Sequence, residues 1–368
     1  MRGAPDVLVV GGGPAGLAAA IALARRGASV EVIDRRRPPY DKPCGEGLMP
    51  GARAALAELG VVPEGGLPLR AITYLDSEHR VTAPLPLPGL GLRRPRLQRA
   101  LVERCAELGV AFDWQTSAQG LVRRQGRFAV SSSRGELHAG TVVAADGLRS
   151  PLRRWAGLER RLARRPERFG MRRHFAVAPW SDAVEVHWAD GAEAYVTPVG
   201  PGEVGVALLW SGARLPYAAL VRRFAELERR LGSAPPTTPV AGCGPLRQEA
   251  RAVLRSNLVL VGDASGYLDA ITGEGLDLAL RQALALAEAV SAGELRGYAR
   301  AHRRQRRLPD RLTRLVLLLS ARPALRRRVL ALFAAEPDLF RRLLAVVTGE
   351  SGLSSVGPLG ALKLLRCL

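Results

Sequence analysis

Six residues, GGGPAG from Gly11 to Gly16, join the apolar run DVLVV to an alanine-rich stretch, and few folds accommodate such a junction. A buried strand ends, the chain turns on glycine, and a helix opens with Pro14 and Ala15 in its first turn. Gly11 permits the tight turn, Gly13 lets the backbone approach a pyrophosphate, and Gly16 lets the helix pack closely on the strand. The helix N-terminus then offers its free amides to the phosphates. Val30–Ile33 reads as a second strand parallel to the first. Asp34 closes it about 20 residues after the glycines, where a carboxylate accepts from ribose hydroxyls, and Arg35 follows. Strand, turn, helix and acid together specify a βαβ dinucleotide-binding unit.

The chain of 368 residues is long enough for two intimately packed domains. Its formal charge of +20 invites a nucleic-acid reading, but only Lys42 and Lys363 are lysine, so 52 of the 54 basic residues are arginine. That skew reflects genomic composition, and no helix-turn-helix, zinc-finger or aromatic RNA-binding signature accompanies it. No nucleic-acid partner is expected. The four cysteines show neither CxxC nor metal-ligand spacing, so no metal is expected, and a reducing cytoplasm is. No apolar run reaches the roughly 18 residues of a membrane span.

Along the chain, a Pro/Gly-rich segment (RRRPPYDKPCGEGLMPG) precedes a helix from about Ala52 to Leu59. Residues 71–83 read as a hairpin, PLPLPGLGLRRP as a loop, and Pro95–Leu108 as a helix. Phe169 to Trp210 alternates with DG and GPG turns, an antiparallel pattern. Asn257–Gly262 returns to a buried strand, and a helix follows the GEG at Gly273–Gly275. The expected organisation is a discontinuous nucleotide-binding domain (1–70, 94–165, 246–295), a β-sheet substrate domain (71–93, 166–245) and a helical segment (296–368).

Three further motifs carry a family likeness: Ala145-Asp146-Gly147-Leu148-Arg149-Ser150, Gly262-Asp263 and Arg94-x-x-Leu97. In their order and spacing the chain resembles FAD enzymes of the para-hydroxybenzoate hydroxylase superfamily, which includes aromatic monooxygenases, geranylgeranyl reductases and flavin-dependent halogenases. The resemblance implies a Rossmann-like α/β FAD-binding domain of glutathione reductase type, with an inserted antiparallel sheet and a helical tail. It implies that Asp146 and Gly147 form the DG motif, that Asp263 holds the ribityl chain, and that Arg94 reaches the phosphates. The loop from Asp263 through Gly273 to Gly275 would close over the flavin. The helix beginning near Leu276 would aim its positive end at N1 and O2, where reduction places negative charge. Lys42-Pro43-Cys44-Gly45-Glu46-Gly47 is similar to the KPCG loop of geranylgeranyl reductases, placing Cys44 and Gly45 near the ring.

The family's activities diverge after FAD reduction. The absence of histidine and paired prolines after Gly262-Asp263 departs from aromatic hydroxylases, while KPCGEG and AITGEG lean towards reductases. Glu193 and Tyr195 depart from both the reductase YxWxFP pattern and the paired tryptophans of halogenases, and no lysine remains to guide a hypohalous acid. The sequence expectation is a monooxygenase that uses NAD(P)H and O2 through a flavin C4a-hydroperoxide, with alkene reduction as its alternative. Period-two alternation places Arg172 and His174 on one face of their strand, with His187 and Tyr195 on a neighbouring hairpin. These four are the candidate substrate residues, and Cys44, His174 and Tyr195 the candidates for chemistry. A histidine there could deprotonate a phenol or enol. The leucine- and arginine-rich tail is amphipathic, a pattern that fits plain core packing first, and also a lid on the active site or peripheral contact with a membrane. A lipophilic, aromatic substrate is expected.

Overall fold

The computed structural model describes residues 4–162 and 166–367. A six-stranded sheet runs in the order Leu254–Arg255, Leu258–Leu260, Thr141–Ala144, Val7–Val10, Val30–Asp34, Ala111–Trp114. All pairings are parallel except that of Leu254–Arg255 with Leu258–Leu260. Val7–Val10, Thr141–Ala144 and Leu258–Leu260 are buried throughout, as befits strands covered on both faces. The helix Pro14–Ala24 packs between this sheet and the helix Gly275–Ser291, burying Leu17, Ile21 and Leu23 completely or nearly so. Successive strands leave Val7–Val10 on opposite sides, so a crevice opens at the carboxyl ends of the strands.

The second sheet has eight strands: Ala241–Cys243, Arg168–Phe175, Glu203–Ser211, Ala192–Gly200, Ala183–Ala189, Leu67–Leu75, Arg80–Gly91 and Gly47–Leu48. Its pairings are antiparallel apart from Ala183–Ala189 with Leu67–Leu75. The segment PLPLPGLG, expected as a loop, instead forms the last eight residues of the twelve-residue strand Arg80–Gly91. Its prolines recur every second residue, and only Gly91 and Leu90 meet the short outer strand, so the prolines sit on an edge with no ladder bond to lose. The short helices Tyr217–Val221 and Ala225–Leu231, not anticipated from the sequence, cover the back of the sheet with Tyr217, Leu220, Phe224 and Leu227.

The front of the sheet faces the nucleotide-binding domain and the tail. The tail comprises the helices Leu295–Ala321, Pro323–Ala335, Pro337–Val347 and Gly357–Cys367. Leu325, Leu330, Phe333 and Phe340 pack with Val81 and Trp188 of the sheet. Among the described residues no helix is long and apolar enough to cross a membrane.

Candidate active site

At the mouth of the crevice Gly11 takes φ +118°, and a Cβ there would overlap the carbonyl oxygen of Ala145. A Cβ on Gly16 would overlap the carbonyl of Gly11, so both positions demand glycine. Gly13 caps the helix in extended geometry and lies open, with the Arg94 guanidinium 3.9 Å from where its Cβ would be. The Asp34 carboxylate accepts from the Gly12 amide at 2.7 Å, the Arg36 amide at 2.8 Å and the Tyr40 hydroxyl at 2.8 Å. Burial and the Asp34 charge push the Tyr40 hydroxyl up to about 12. Arg36 stacks 3.8 Å above the Tyr40 ring. Gln98, buried on the helix Arg94–Glu107, donates to the Gly12 carbonyl at 2.6 Å and accepts from the Tyr40 amide at 2.8 Å. Arg35 is exposed.

The late glycine loop arrives at the same place. A Cβ on Gly262 would come within 2.6 Å of the Ala15 Cβ, so the two glycine turns touch. No hydrogen bond among the described residues reaches the Asp263 carboxylate, whose proton affinity is raised by burial against the opposing charges of Arg94 and Lys42. Burial, then Arg94, lowers Lys42, whose Nζ lies 3.8 Å from where a Gly147 Cβ would be. Asp146 accepts from the Leu152 amide at 3.1 Å through Oδ2, while its Oδ1 is buried without a partner. Arg153 braces the DG and GD loops together, donating to the carbonyls of Leu148 and Ala264, both at 3.1 Å. Gly273 takes φ +71°, and Gly275 opens the helix that continues through the half-buried Leu276.

The sheet's front face grips both loops. Thr197 donates to the Gly45 carbonyl at 2.8 Å, and the Cys44 sulfur accepts from the Glu46 amide at 3.4 Å. Glu46, at φ +58° and 2% exposed, accepts from the Arg94 amide at 2.8 Å and pairs with His174 Nε2. Arg172 donates to His174 Nδ1 at 2.8 Å, and arginine can only donate, so the ring proton lies on Nε2, towards Glu46. Arg172 also reaches Asp41 at 2.5 Å and the Lys42 carbonyl at 3.0 Å. Tyr195 donates to the Ile271 carbonyl at 2.7 Å. Arg168 bridges Glu193 at 2.7 Å and Asp269 at 2.8 Å.

These contacts revise the candidate substrate residues. Arg172 and His174 share a face as expected, but both are buried and spend their polar atoms holding the loop Asp41–Gly47. His174 has no ring nitrogen left to deprotonate a substrate. Tyr195 spends its hydroxyl hydrogen bond on the Ile271 carbonyl of the flavin loop. His187 turns to the back of the sheet, 3.2 Å from Glu185 and beside Phe224, because alternation sends it opposite to its neighbour Trp188. Gln98, Glu46, Arg153 and Arg168 were not foreseen. Arg153 follows the DG motif by a helical turn, and Glu46 lies inside KPCGEG, so two of the four had a signal in their neighbourhood.

The cradle fits FAD: two positions that admit only glycine, a guanidinium over the helix start, and two carboxylate groups with free oxygen atoms along the crevice. The family model for an FAD binding domain matches residues 4–306. The chain belongs to this family of FAD-binding flavoenzymes. Among relatives of the flavoenzyme, a menaquinone reductase of Mycobacterium tuberculosis is 31% identical over 321 residues, spanning 79% of this chain and 77% of that protein. A digeranylgeranylglycerophospholipid reductase of Thermoplasma volcanium is 28% identical, over 74% of each chain. A flavoprotein/dehydrogenase from Cytophaga hutchinsonii shares the fold with TM-score 0.83 at 18% identity, covering 98% of this chain and 96% of that one. A geranylgeranyl bacteriochlorophyll reductase-like protein from Thermoplasma acidophilum does so with TM-score 0.73 at 23% identity, covering 99% and 96%. The flavoenzyme is an FAD-dependent oxidoreductase, and the relatives favour the reductase alternative over the monooxygenase expected from sequence.

Proposed function

We propose that the flavoenzyme reduces a carbon–carbon double bond in the prenyl chain of a lipophilic substrate such as an isoprenoid quinone or prenyl lipid. The reading is carried by a continuous apolar body that begins at the flavin loop with Ala270 and Ile271 and ends at Leu325, Phe333 and Phe340 of the tail. These side chains pack on one another, and apolar surroundings of this kind suit a prenyl chain better than a small hydrophilic phenol. The reductase relatives point the same way.

Bound FAD, once reduced, supplies a hydride to one alkene carbon, and a proton completes the other. NAD(P)H is the proposed reductant, docking transiently, and O2 has no part in the reaction. The chain's own residues bind and position. Gly11, Gly13 and Gly16 seat the pyrophosphate with Arg94, and Asp34 and Asp263 hold hydroxyls. The loop Asp41–Gly47, fixed by Glu46 and Thr197, would hold Cys44 beside the bound flavin. The helix starting at Gly275 favours negative charge on the reduced ring by about 0.5–1 kcal/mol. Tyr195 and Arg168 fix the flavin loop, and the packed aromatic and leucine side chains keep water away.

The test is anaerobic. Purified holoenzyme, reduced with dithionite, is mixed with a menaquinone or geranylgeranyl lipid, and the products are weighed by mass spectrometry. A product still heavier by two hydrogens after any quinol has been oxidised back to quinone, formed as the flavin reoxidises, supports the reading. Oxygen incorporation in air, with no anaerobic turnover, replaces it with the monooxygenase.

A further inference from the structure

The final helix, Gly357–Cys367, has no buried residue. Leu359, Leu362 and Leu365 are 65%, 46% and 63% exposed and recur at helical spacing along one side, while Leu353 just before the helix is 56% exposed. The opposite side rests on the tail, with Leu339 within 2.9 Å of where a Gly360 Cβ would stand. Single exposed leucines are ordinary, but four within thirteen residues form a patch that water does not favour.

The segment that carries this patch is strongly basic. Residues 295–368 carry sixteen basic and four acidic side chains, a net +12 of the chain's +20 in a fifth of its length. Thirteen of the arginines there are exposed, among them Arg341, Arg342 and Arg366, the last adjoining Leu365. Lys363, on the same helix, is paired with Glu336 and Arg341 with Asp338, so neither is free charge, whereas Arg342 and Arg366 have no ion pair among the described residues. An acidic protein or nucleic acid would match the arginines but leave the leucines in water. A bilayer with anionic headgroups matches both, because arginines meet phosphates while leucines enter the headgroup–acyl boundary.

We propose that the leucine face of Gly357–Cys367, on a tail rich in exposed arginines, docks the flavoenzyme on the surface of an anionic phospholipid membrane. The proposal deepens the reading of a lipophilic substrate. The docked tail is the one whose inner side packs against the apolar cluster reaching Ile271, so docking would bring the flavin loop's apolar surroundings close to a membrane-dissolved prenyl chain. Docking itself needs no catalysis and is measured without it.

Full-length holoenzyme is sedimented with vesicles of phosphatidylcholine alone and of phosphatidylcholine with phosphatidylglycerol, both free of quinone. Cosedimentation with the anionic vesicles that weakens with salt, and little with the neutral ones, is expected. The L359S/L362S/L365S variant alters only exposed side chains and should keep its yellow colour and thermal midpoint while losing about tenfold or more in vesicle affinity. The R342E/R366E variant should lose affinity for anionic vesicles alone. Binding unchanged by the three serines, or no binding to anionic vesicles at low salt, overturns the proposal. Tight binding to DNA that the serines leave untouched would do so too, in favour of an acidic polymer. Failure here with prenyl reduction intact rejects the docking alone, and docking without prenyl reduction rejects the activity alone.

Discussion

At Gly11 and Glu46 single side chains decide whether the cofactor site exists. A methyl group on Gly11 must displace the Ala145 carbonyl at the head of the DG motif. Overpacking of that kind costs about 1–3 kcal/mol, so Gly11→Ala should weaken FAD binding by roughly tenfold to a hundredfold, read by fluorescence titration of the apoprotein. Undiminished affinity would mean that the turn relaxes freely and is no phosphate seat. Glu46 is different, being a buried carboxylate that joins the loop, the Arg94 amide and His174. Removing the imidazole in His174→Ala leaves that carboxylate short of its closest partner, at about 3 kcal/mol of stability. Because Thr197 still holds Gly45, the fold should survive while the flavin's absorption and potential shift. H174Q, which can still donate, should recover most of both. A His174→Ala protein that loses stability with an unchanged flavin spectrum and potential would deny the loop its role in setting the ring's surroundings.

Among the elements, the strands and helices of the nucleotide-binding unit could be read almost completely from sequence, because each depends on local signals: an apolar run, a glycine turn, an acid at a strand end. The strand Arg80–Gly91 could not, since its prolines signal a loop unless one knows that most of its outer edge is unpaired. Nor could the direction of His187, whose face follows from the register of Ala183–Ala189 against two neighbours. The links between elements were likewise hidden, because they join residues far apart in the chain. Arg168 is the clearest, holding Glu193 of the sheet and Asp269 of the flavin loop, while Ser320 of the tail also donates to Glu193. Arg168→Ala would leave two buried carboxylates without their cation. We expect a loss of about 3 kcal/mol or more in denaturant unfolding, with FAD released before the main transition as the loop loses its anchor. Simultaneous loss of flavin and fold would show instead that loop and sheet melt as one unit.

The whole molecule carries an unusual number of carboxyl groups whose proton affinity burial raises: Asp146, Glu193, Asp263, Asp269, Asp277 and Glu274. Glu274 is the extreme, pushed up to about 7 by burial and then by Asp277, with Oε2 buried and unpartnered at the start of the flavin-loop helix. A carboxyl raised in the folded state binds its proton there at pH values where the unfolded chain has released it. Its contribution to stability is therefore present below the ordinary carboxylate range and is lost as pH climbs towards 7. His302 works against this, because burial, then Arg306, pushes it down to about 3 and stability rises as pH climbs from there to the usual histidine range. Between pH 5 and 6.5 the two oppose one another, so the wild-type curve alone cannot separate them. Glu274→Gln can, since only the glutamate limb disappears. Relative to wild type, the variant should gain roughly 3 kcal/mol on going from pH 4.5 to pH 7.5, in urea unfolding with FAD in equal excess. A stability difference that stays constant across that range would mean Glu274 titrates normally and has access to water. In that event the start of the flavin-loop helix would carry a full negative charge at neutral pH, offsetting the positive end of the helix there.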